Sequence, residues 1–361
     1  MNSRREIYRV AGVPLLQNRT FDSARAAREC ATGDVVVVQD MQTGLIFNEA
    51  FDPAAVEYDA EYQNEQALSE AFLRHLDFVA RVMKKHFSEL ALIEIGCGKA
   101  HFLAMLKEMG FSITGFDPAY EGTSPDVQRE YFSADTGIDA GGIVLRHVLE
   151  HVPDPVAFLK QIGDMNGNRG RIYIEVPCFD WICRNRSWFD IYYEHVNYFR
   201  LTDLERMFGT VHEAGYSFGG QYIYIVAEIG TVRTPLASGA TPAELPPDFL
   251  GSVQVHARRL MRSAGDRSQG TAVWGAASKG VIFALFMDRA GAPVSLAVDI
   301  NPAKQGRFLP VTGLRIESPE NAARLLTRGS DVFVMNSNYL AEIERLGGDR
   351  YTYIPVEHGL S

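Results

Sequence analysis

The sequence predicts an α/β protein with two α/β units behind a small β-containing segment, and three observations carry that prediction. Short apolar runs (Leu92–Ile95, Ile113–Phe116, Ile143–Leu145, Ile172–Ile174) alternate with helical stretches, the pattern of a parallel sheet covered on both faces. Two of the apolar runs, Leu92–Ile95 and Thr271–Trp274, deliver a glycine turn straight to a helix start. A stretch rich in proline, alanine and serine, Thr234–Pro247, separates the two units as a linker would. The 361 residues therefore divide into an N-terminal cap (1–66), a first α/β domain (67–233), a linker (234–250) and a smaller Rossmann-like domain (251–361).

In chain order, Asp34–Gln39 and Gly44–Asn48 read as strands around a turn at Asp40–Thr43. The Glu57–Glu65 segment, rich in tyrosine and acids, reads by itself as a solvated loop. Leu68, Phe72, Leu73, Leu76, Val79, Ala80, Met83 and Phe87 recur at three and four, which predicts an amphipathic helix leading into the first sheet strand. That strand (91–95) is followed by a helix near 99–109, a strand at 112–116, and further buried strands at 141–145, 171–176 and 222–228. In the second unit, Gly275–Gly280 opens an apolar helix, Val294–Val298 runs into Asp299, and Asp331–Met335 is followed by Asn336 or Ser337 as a helix cap.

A net charge of -10 and a pI near 5.4 leave no basic field for a phosphate backbone, so the expected partner is a small molecule, not a nucleic acid. The four cysteines (Cys30, Cys97, Cys178, Cys183) contain no C-x-x-C pair and fit a reducing cytoplasm. No apolar run reaches the roughly 18 residues of a membrane helix, and the N-terminus lacks a signal-peptide core, so a soluble cytoplasmic protein is expected. The sequence sets no oligomeric state.

Glu94-Ile95-Gly96-Cys97-Gly98 after an apolar strand is a place to hold a nucleoside, and Asp117, about twenty residues on, suits ribose hydroxyls. The turn lacks the third glycine of a dinucleotide fingerprint, which weakens an oxidoreductase using NAD; the Gly275–Gly280 turn also lacks that spacing. Together with Val148-Leu149-Glu150-His151-Val152-Pro153-Asp154-Pro155 after the fourth strand, this turn resembles the S-adenosylmethionine (SAM) site of class I methyltransferases. His147–His151 spells H-x-x-E-H, the inverted zincin pattern, but it directly follows a buried strand and is cut by Pro153 and Pro155, so no long metal-binding helix is expected.

The chemically richest segment is Trp188–Phe199. His195 reads as a general base oriented by Glu194 or another acid, with Tyr192 donating to a developing oxyanion; a structural aromatic loop is the plain alternative. Tyr-x-Glu-His-x-x-Tyr-Phe at Tyr192–Phe199 resembles a motif of the three-part sugar C-methyltransferases, and Gly275–Gly280 and Asp299–Arg307 match that family's C-terminal part. The resemblance implies a SAM-dependent C-methyltransferase acting beside the ketone of a nucleotide-linked 4-keto-deoxysugar. It places His195, Tyr192, Glu194, His151 and a tyrosine of the 58–62 stretch, Tyr62, at the catalytic pocket. It places Glu94, Gly96, Cys97, Gly98, Asp117, Phe132 and His147 around SAM. An O- or N-methyltransferase of another small metabolite is the alternative.

Two departures matter. The family's zinc-binding Cys-x-x-Cys-Gly-Leu is here Asp40-Met41-Gln42-Thr43-Gly44-Leu45, which offers no thiolate, so no metal is expected. Arg146-His147 and Tyr193 also stand where the family has other residues, so the substrate is open at this point, and Arg146 is expected either to pair with a substrate anion or to form a surface ion pair.

Overall fold

The computed structural model describes residues 3–56, 67–133, 140–265 and 270–357. The cap is a three-stranded antiparallel sheet of β1 (Arg4–Pro14), β2 (Thr32–Asp40) and β3 (Ile46–Asn48), with the short α1 (Ala24–Arg28) between the first two strands. Its turn is closed by Asp40, whose Oδ1 accepts from the backbone N–H of Gln42 (2.7 Å) and Thr43 (2.8 Å), an Asx turn where the sugar-enzyme motif has cysteines.

The central unit runs α2 (Glu70–Phe87), β4 (Ala91–Ile95), α3 (His101–Glu108), β5 (Ser112–Phe116), β6 (Val127–Gln128), β7 (Gly142–Arg146), α4 (Pro155–Met165), β8 (Arg171–Pro177), α5 (Phe179–Asn185), α6 (Leu201–Arg206), β9 (Val211–Ser217) and β10 (Tyr222–Glu228). Its seven strands lie in the order β6-β5-β4-β7-β8-β10-β9. The first five are parallel; β10 pairs antiparallel with both β8 and β9. The sheet is thus mixed at one edge, where the sequence pattern showed only parallel strands. Helix α2 covers one face with Phe72, Leu76, Val79, Met83 and Phe87, while Leu68 and Leu73, expected on that apolar face, are 47% and 45% exposed. Ser69 caps the helix, so it begins two residues after Leu68.

The C-terminal unit comprises α7 (Gly251–Gly265), β11 (Thr271–Trp274), α8 (Ser278–Arg289), β12 (Leu296–Val298), β13 (Ile316–Glu317), α9 (Pro319–Leu325), β14 (Asp331–Val334), α10 (Leu340–Gly347) and β15 (Thr352–Pro355). Its five strands are all parallel, in the order β13-β12-β11-β14-β15. The chain reverses direction across the sheet at β11 and β14, and crevices outside the carboxyl ends of strands at such a point are where α/β sheets take ligands. Asn336 is the cap expected after β14; its side chain accepts from Asn338 N–H, though it caps a single 3-10 turn before α10 begins.

The two parallel sheets turn these ends toward one another, and the cap closes a third side: Gln17 N–H binds Glu194, and Asn18 Nδ2 binds Ser278 Oγ (3.1 Å). Among the described residues no helix is long and apolar enough to cross a membrane.

Candidate active site

The turn after β4 is built by backbone geometry that glycine permits. Gly96 (φ 72°) and Gly98 (φ 53°) are left-handed, and a Cβ on Gly96 would sit 2.5 Å from Val148 Cγ2. Gly98 N–H donates to Asp117 Oδ2 at 2.8 Å, tying this turn to the end of β5, and Asp117 Oδ1 accepts from Ala119 N–H. Behind them Glu94 is 3% exposed, its Oε2 has no hydrogen-bond partner among the described residues, and burial pushes its carboxyl up to about 7 despite Arg146. An orphaned buried carboxylate, an acid at the next strand end and a cradle that any side chain would fill form one nucleoside-sized corner.

The other expected cofactor residues divide. Cys97 is buried against Gly115, where a Cβ would meet its Sγ at 2.7 Å, and burial raises its thiol above the usual range. Phe132 packs edge-on to Phe116 (centroids 5.2 Å) as part of the core. His147 (φ 54°) does reach the cleft. Its Nδ1 lies 3.4 Å from Glu150 and its Nε2 3.4 Å from Glu175; these acids outweigh burial and raise it to about 9.

Glu175 was not singled out in the sequence. It is fully buried in β8, where Oε1 receives His75 Nε2 (3.0 Å) and Arg146 (3.5 Å), and Oε2 receives the hydroxyls of Tyr173 and Ser217 (both 3.1 Å). Burial works against its charge, but the facing His75, His147 and Arg146 hold the carboxyl well below the usual range. Arg146 is therefore neither a surface pair nor directed at a substrate: its side chain is 9% exposed, stacked on Phe102 and paired inward with Glu175. The signal was present as a glutamate inside the otherwise apolar run Ile172–Val176.

Between the central and C-terminal sheets lies a cleft enclosing about 230 Å³. From the central unit it is lined by His147, Glu150, His151, Asp190, Tyr192 and His195; from the C-terminal unit by Trp274, Ser278, Lys279, Asp299 and Lys304; from the cap by Asn18. Tyr192 OH and His195 Nε2 are 2.6 Å apart with both residues buried. Burial, reinforced by the neighbouring His151, His147 and Lys279, holds His195 well below 6.5, so it is neutral at pH 7. Tyr192 is pushed well above its usual value by burial, so its hydroxyl keeps the proton and Nε2 accepts it.

His151 donates Nδ1–H to the backbone carbonyl of Glu194 at 2.9 Å, which fixes its tautomer, and its ring meets His195 edge-on at 5.2 Å. Glu194 is buried, and its Oε2 accepts Gln17 N–H at 2.9 Å, which ties this loop to the cap. Tyr62 lies outside the described residues.

Glu150, His151 and His195 bring ligand-capable atoms within 4.8 Å of one another, the composition of a two-imidazole, one-carboxylate metal site. This is not the H-x-x-E-H arrangement: Leu149–His151 is one 3-10 turn, and His147 is engaged by Glu150 and Glu175.

Lys279, Asp190 and Glu357 were also missed. Lys279 Nζ sits 3.0 Å from each carboxylate and over the Trp181 ring, joining the central unit to α8 and the C-terminal end.

Residues 62–217 fit the family model described as a methyltransferase domain, and residues 248–346 the model described as a C-methyltransferase C-terminal domain. The central unit is a methyltransferase domain. The C-methyltransferase NovU of Streptomyces niveus is 25% identical over 266 residues, 64% of this chain and 63% of that protein, so the match spans less than two thirds of the relative. Solved structures that resemble part of the chain include the PH0226 protein of Pyrococcus horikoshii OT3 (13% identical, TM-score 0.33, 44% of this chain and 92% of that one). Another is a SAM-dependent methyltransferase of Archaeoglobus fulgidus (16% identical, TM-score 0.31, 44% and 100%). In this domain Glu94, Gly96, Gly98 and Asp117, four of the residues expected around SAM, stand together at the ends of β4 and β5.

Proposed function

We propose that this chain is a C-methyltransferase that methylates the carbon next to a carbonyl, with a nucleotide-linked 4-keto-deoxysugar as substrate. The observation that carries the reading is the Tyr192–His195 pair: a neutral, buried imidazole bound to a protonated phenol, in a cleft beside the cofactor corner. In the free enzyme the two groups satisfy each other. A carbonyl oxygen reaching Tyr192 OH takes over its hydrogen bond and releases the Nε2 lone pair toward the adjacent C–H. His195 then removes that proton while the phenol donates to the enolate oxygen. SAM, when bound, supplies the electrophilic methyl group. Holding both reactants in one cleft makes the transfer effectively unimolecular, with effective molarities of about 10⁵ to 10⁸ M for well-aligned groups. His151 sits at the edge of the base, and burial lowers its pKa, so it adds no full positive charge beside His195 near pH 7.

The C-methyltransferase C-terminal domain match and the NovU relative support the choice of carbon as acceptor. The test is product analysis with methyl-labelled SAM and nucleotide-linked 4-keto-6-deoxyhexoses. A new C–CH₃ resonance, lost in His195→Asn, is expected. A methyl group found on oxygen or nitrogen overturns the reading.

A further inference from the structure

Two lysines are buried in the cleft, and they are compensated differently. Lys279 is neutralised by two carboxylates at 3.0 Å. Lys304 is 3% exposed and also lines the cleft, yet among the described residues no carboxylate lies within ion-pair distance of its Nζ. Its ammonium donates to two neutral oxygens, Ala276 O (3.0 Å) and Asn18 Oδ1 (3.4 Å), and an ammonium has three donors.

The loop that carries Lys304 is made to hold it there. Asp299 Oδ1 accepts Asn301 N–H (2.8 Å), Asn301 Oδ1 accepts Ala303 N–H (3.0 Å), Asn301 O accepts Lys304 N–H (3.1 Å) and Gln305 Nε2 donates to Asp299 O (3.0 Å). Successive Asx turns thus turn a lysine inward, where burial lowers its pKa against the more distant Asp299 and Glu194. A buried cation without a counter-ion is costly to the folded state, and a negative charge arriving in the cleft would offset that cost.

We infer that Lys304 is a catalytic residue of the proposed C-methylation, the positive charge that meets the enolate oxygen as it forms. This rests on that reading of the reaction. Position favours a developing charge over a fixed phosphate. Lys304 binds Asn18, Asn18 binds Ser278, and Ser278 stands beside Tyr192 OH, so the lysine belongs to the same hydrogen-bonded line as the Tyr192–His195 pair.

The test follows deuterium wash-in beside the ketone of nucleotide-linked 4-keto-6-deoxyhexoses, without SAM, for the wild type, Lys304→Met and Lys304→Ala, together with methyl transfer and melting temperature. Lys304→Met is expected to lower exchange and kcat together by about 10²-fold, the usual effect of losing one oxyanion donor. KM should move less than about threefold, because the charge acts on the enolate and not on the bound ketone. Its melting temperature should hold or rise, since a buried uncompensated charge is gone. Added ethylammonium should restore part of the exchange in Lys304→Ala. A rise in KM with kcat unchanged would make Lys304 a binder of a fixed anion, and equal exchange in wild type and Lys304→Met would remove its role; either overturns this inference alone. No exchange by the wild type with any of the sugars overturns both the inference and the C-methylation reading.

Discussion

Glu175→Gln removes the negative charge that Arg146, His147 and His75 share in the interior of the central unit. Glutamine keeps the shape and can still engage the Tyr173 and Ser217 hydroxyls, which can reorient, so the packing term is small. What remains is a buried guanidinium without its paired carboxylate and a His147 left with Glu150 as its neighbouring acid. Breaking a buried pair from one side costs about 3 to 5 kcal/mol, and the retained hydrogen bonds place this case near about 3. For a unit of this size each kcal/mol is about 2 to 4 °C of melting temperature, so a fall of about 6 to 12 °C is expected by calorimetry or circular dichroism. The sign with pH is also fixed. The folded-state carboxyl lies well below its unfolded value, so its contribution is present above pH ~4 and lost as pH falls through the folded value. The gap between wild type and Glu175→Gln should therefore stay constant from pH 7 to 5 and close below about 4. Arg146→Met on top of Glu175→Gln should recover part of the loss, because the stranded charge is removed. A melting shift under about 2 °C, or no recovery in the double variant, would refute the buried-pair account.

Other predictions follow from the same geometry. His147 is raised to about 9, so its contribution is complete below pH ~6.5 and lost as pH rises through 9; wild type should lose more melting temperature between pH 7 and 9.5 than His147→Gln does. Gly96→Ala places a Cβ 2.5 Å from Val148 Cγ2 at a left-handed φ, so SAM affinity measured by calorimetry should fall at least about tenfold, and unchanged affinity would remove the turn from the cofactor site. Lys279→Met leaves Asp190 and Glu357 buried without their cation; faster proteolysis within 234–250 and a lower melting temperature are expected, with partial rescue by adding Glu357→Gln. Because His195 is needed as a free base, protein treated with a chelator should retain methyl transfer; loss of activity that returns with a divalent cation would make Glu150, His151 and His195 a metal site.

The strands that were legible in the sequence are those buried on both faces. Leu92–Glu94, Ile143–Leu145 and Ile172–Ile174 lie at or near 0% exposure, and a strand covered on both sides reads as a continuous apolar run. The missed strands are the half-exposed ones. Arg4–Pro14 mixes charged and apolar residues around two register shifts, and Val211–Ser217 is a polar edge strand with a glycine inside it. The same division holds at the site. Tyr192, His195 and His151 stand in recognisable local patterns and do meet in the cleft. Asn18 and Lys304 come together from 286 residues apart, a juxtaposition no local pattern can announce. Glu194 takes the Gln17 backbone N–H from 177 residues away, a contact that spacing within Trp188–Phe199 does not announce.

Three buried charge arrangements border this cleft, and their compensation separates their roles. Glu175 faces cations, and Lys279 faces two carboxylates; both groups have their fields cancelled before any substrate arrives. A charge already cancelled gains little when a new charge appears nearby, because its partners repel or attract the newcomer in equal measure. Such groups fix shape: Glu175 sets Arg146 and His147 behind the cofactor corner, and Lys279 locks α8 to the Trp188–Asp190 turn. Lys304 is held by neutral oxygens only, so its field remains to act on whatever forms beside Tyr192. Removing a compensated group should therefore cost stability first and rate second, whereas removing Lys304 should cost rate and spare stability. That opposition, measured on Glu175→Gln and Lys304→Met side by side, separates the scaffold of the cleft from its chemistry.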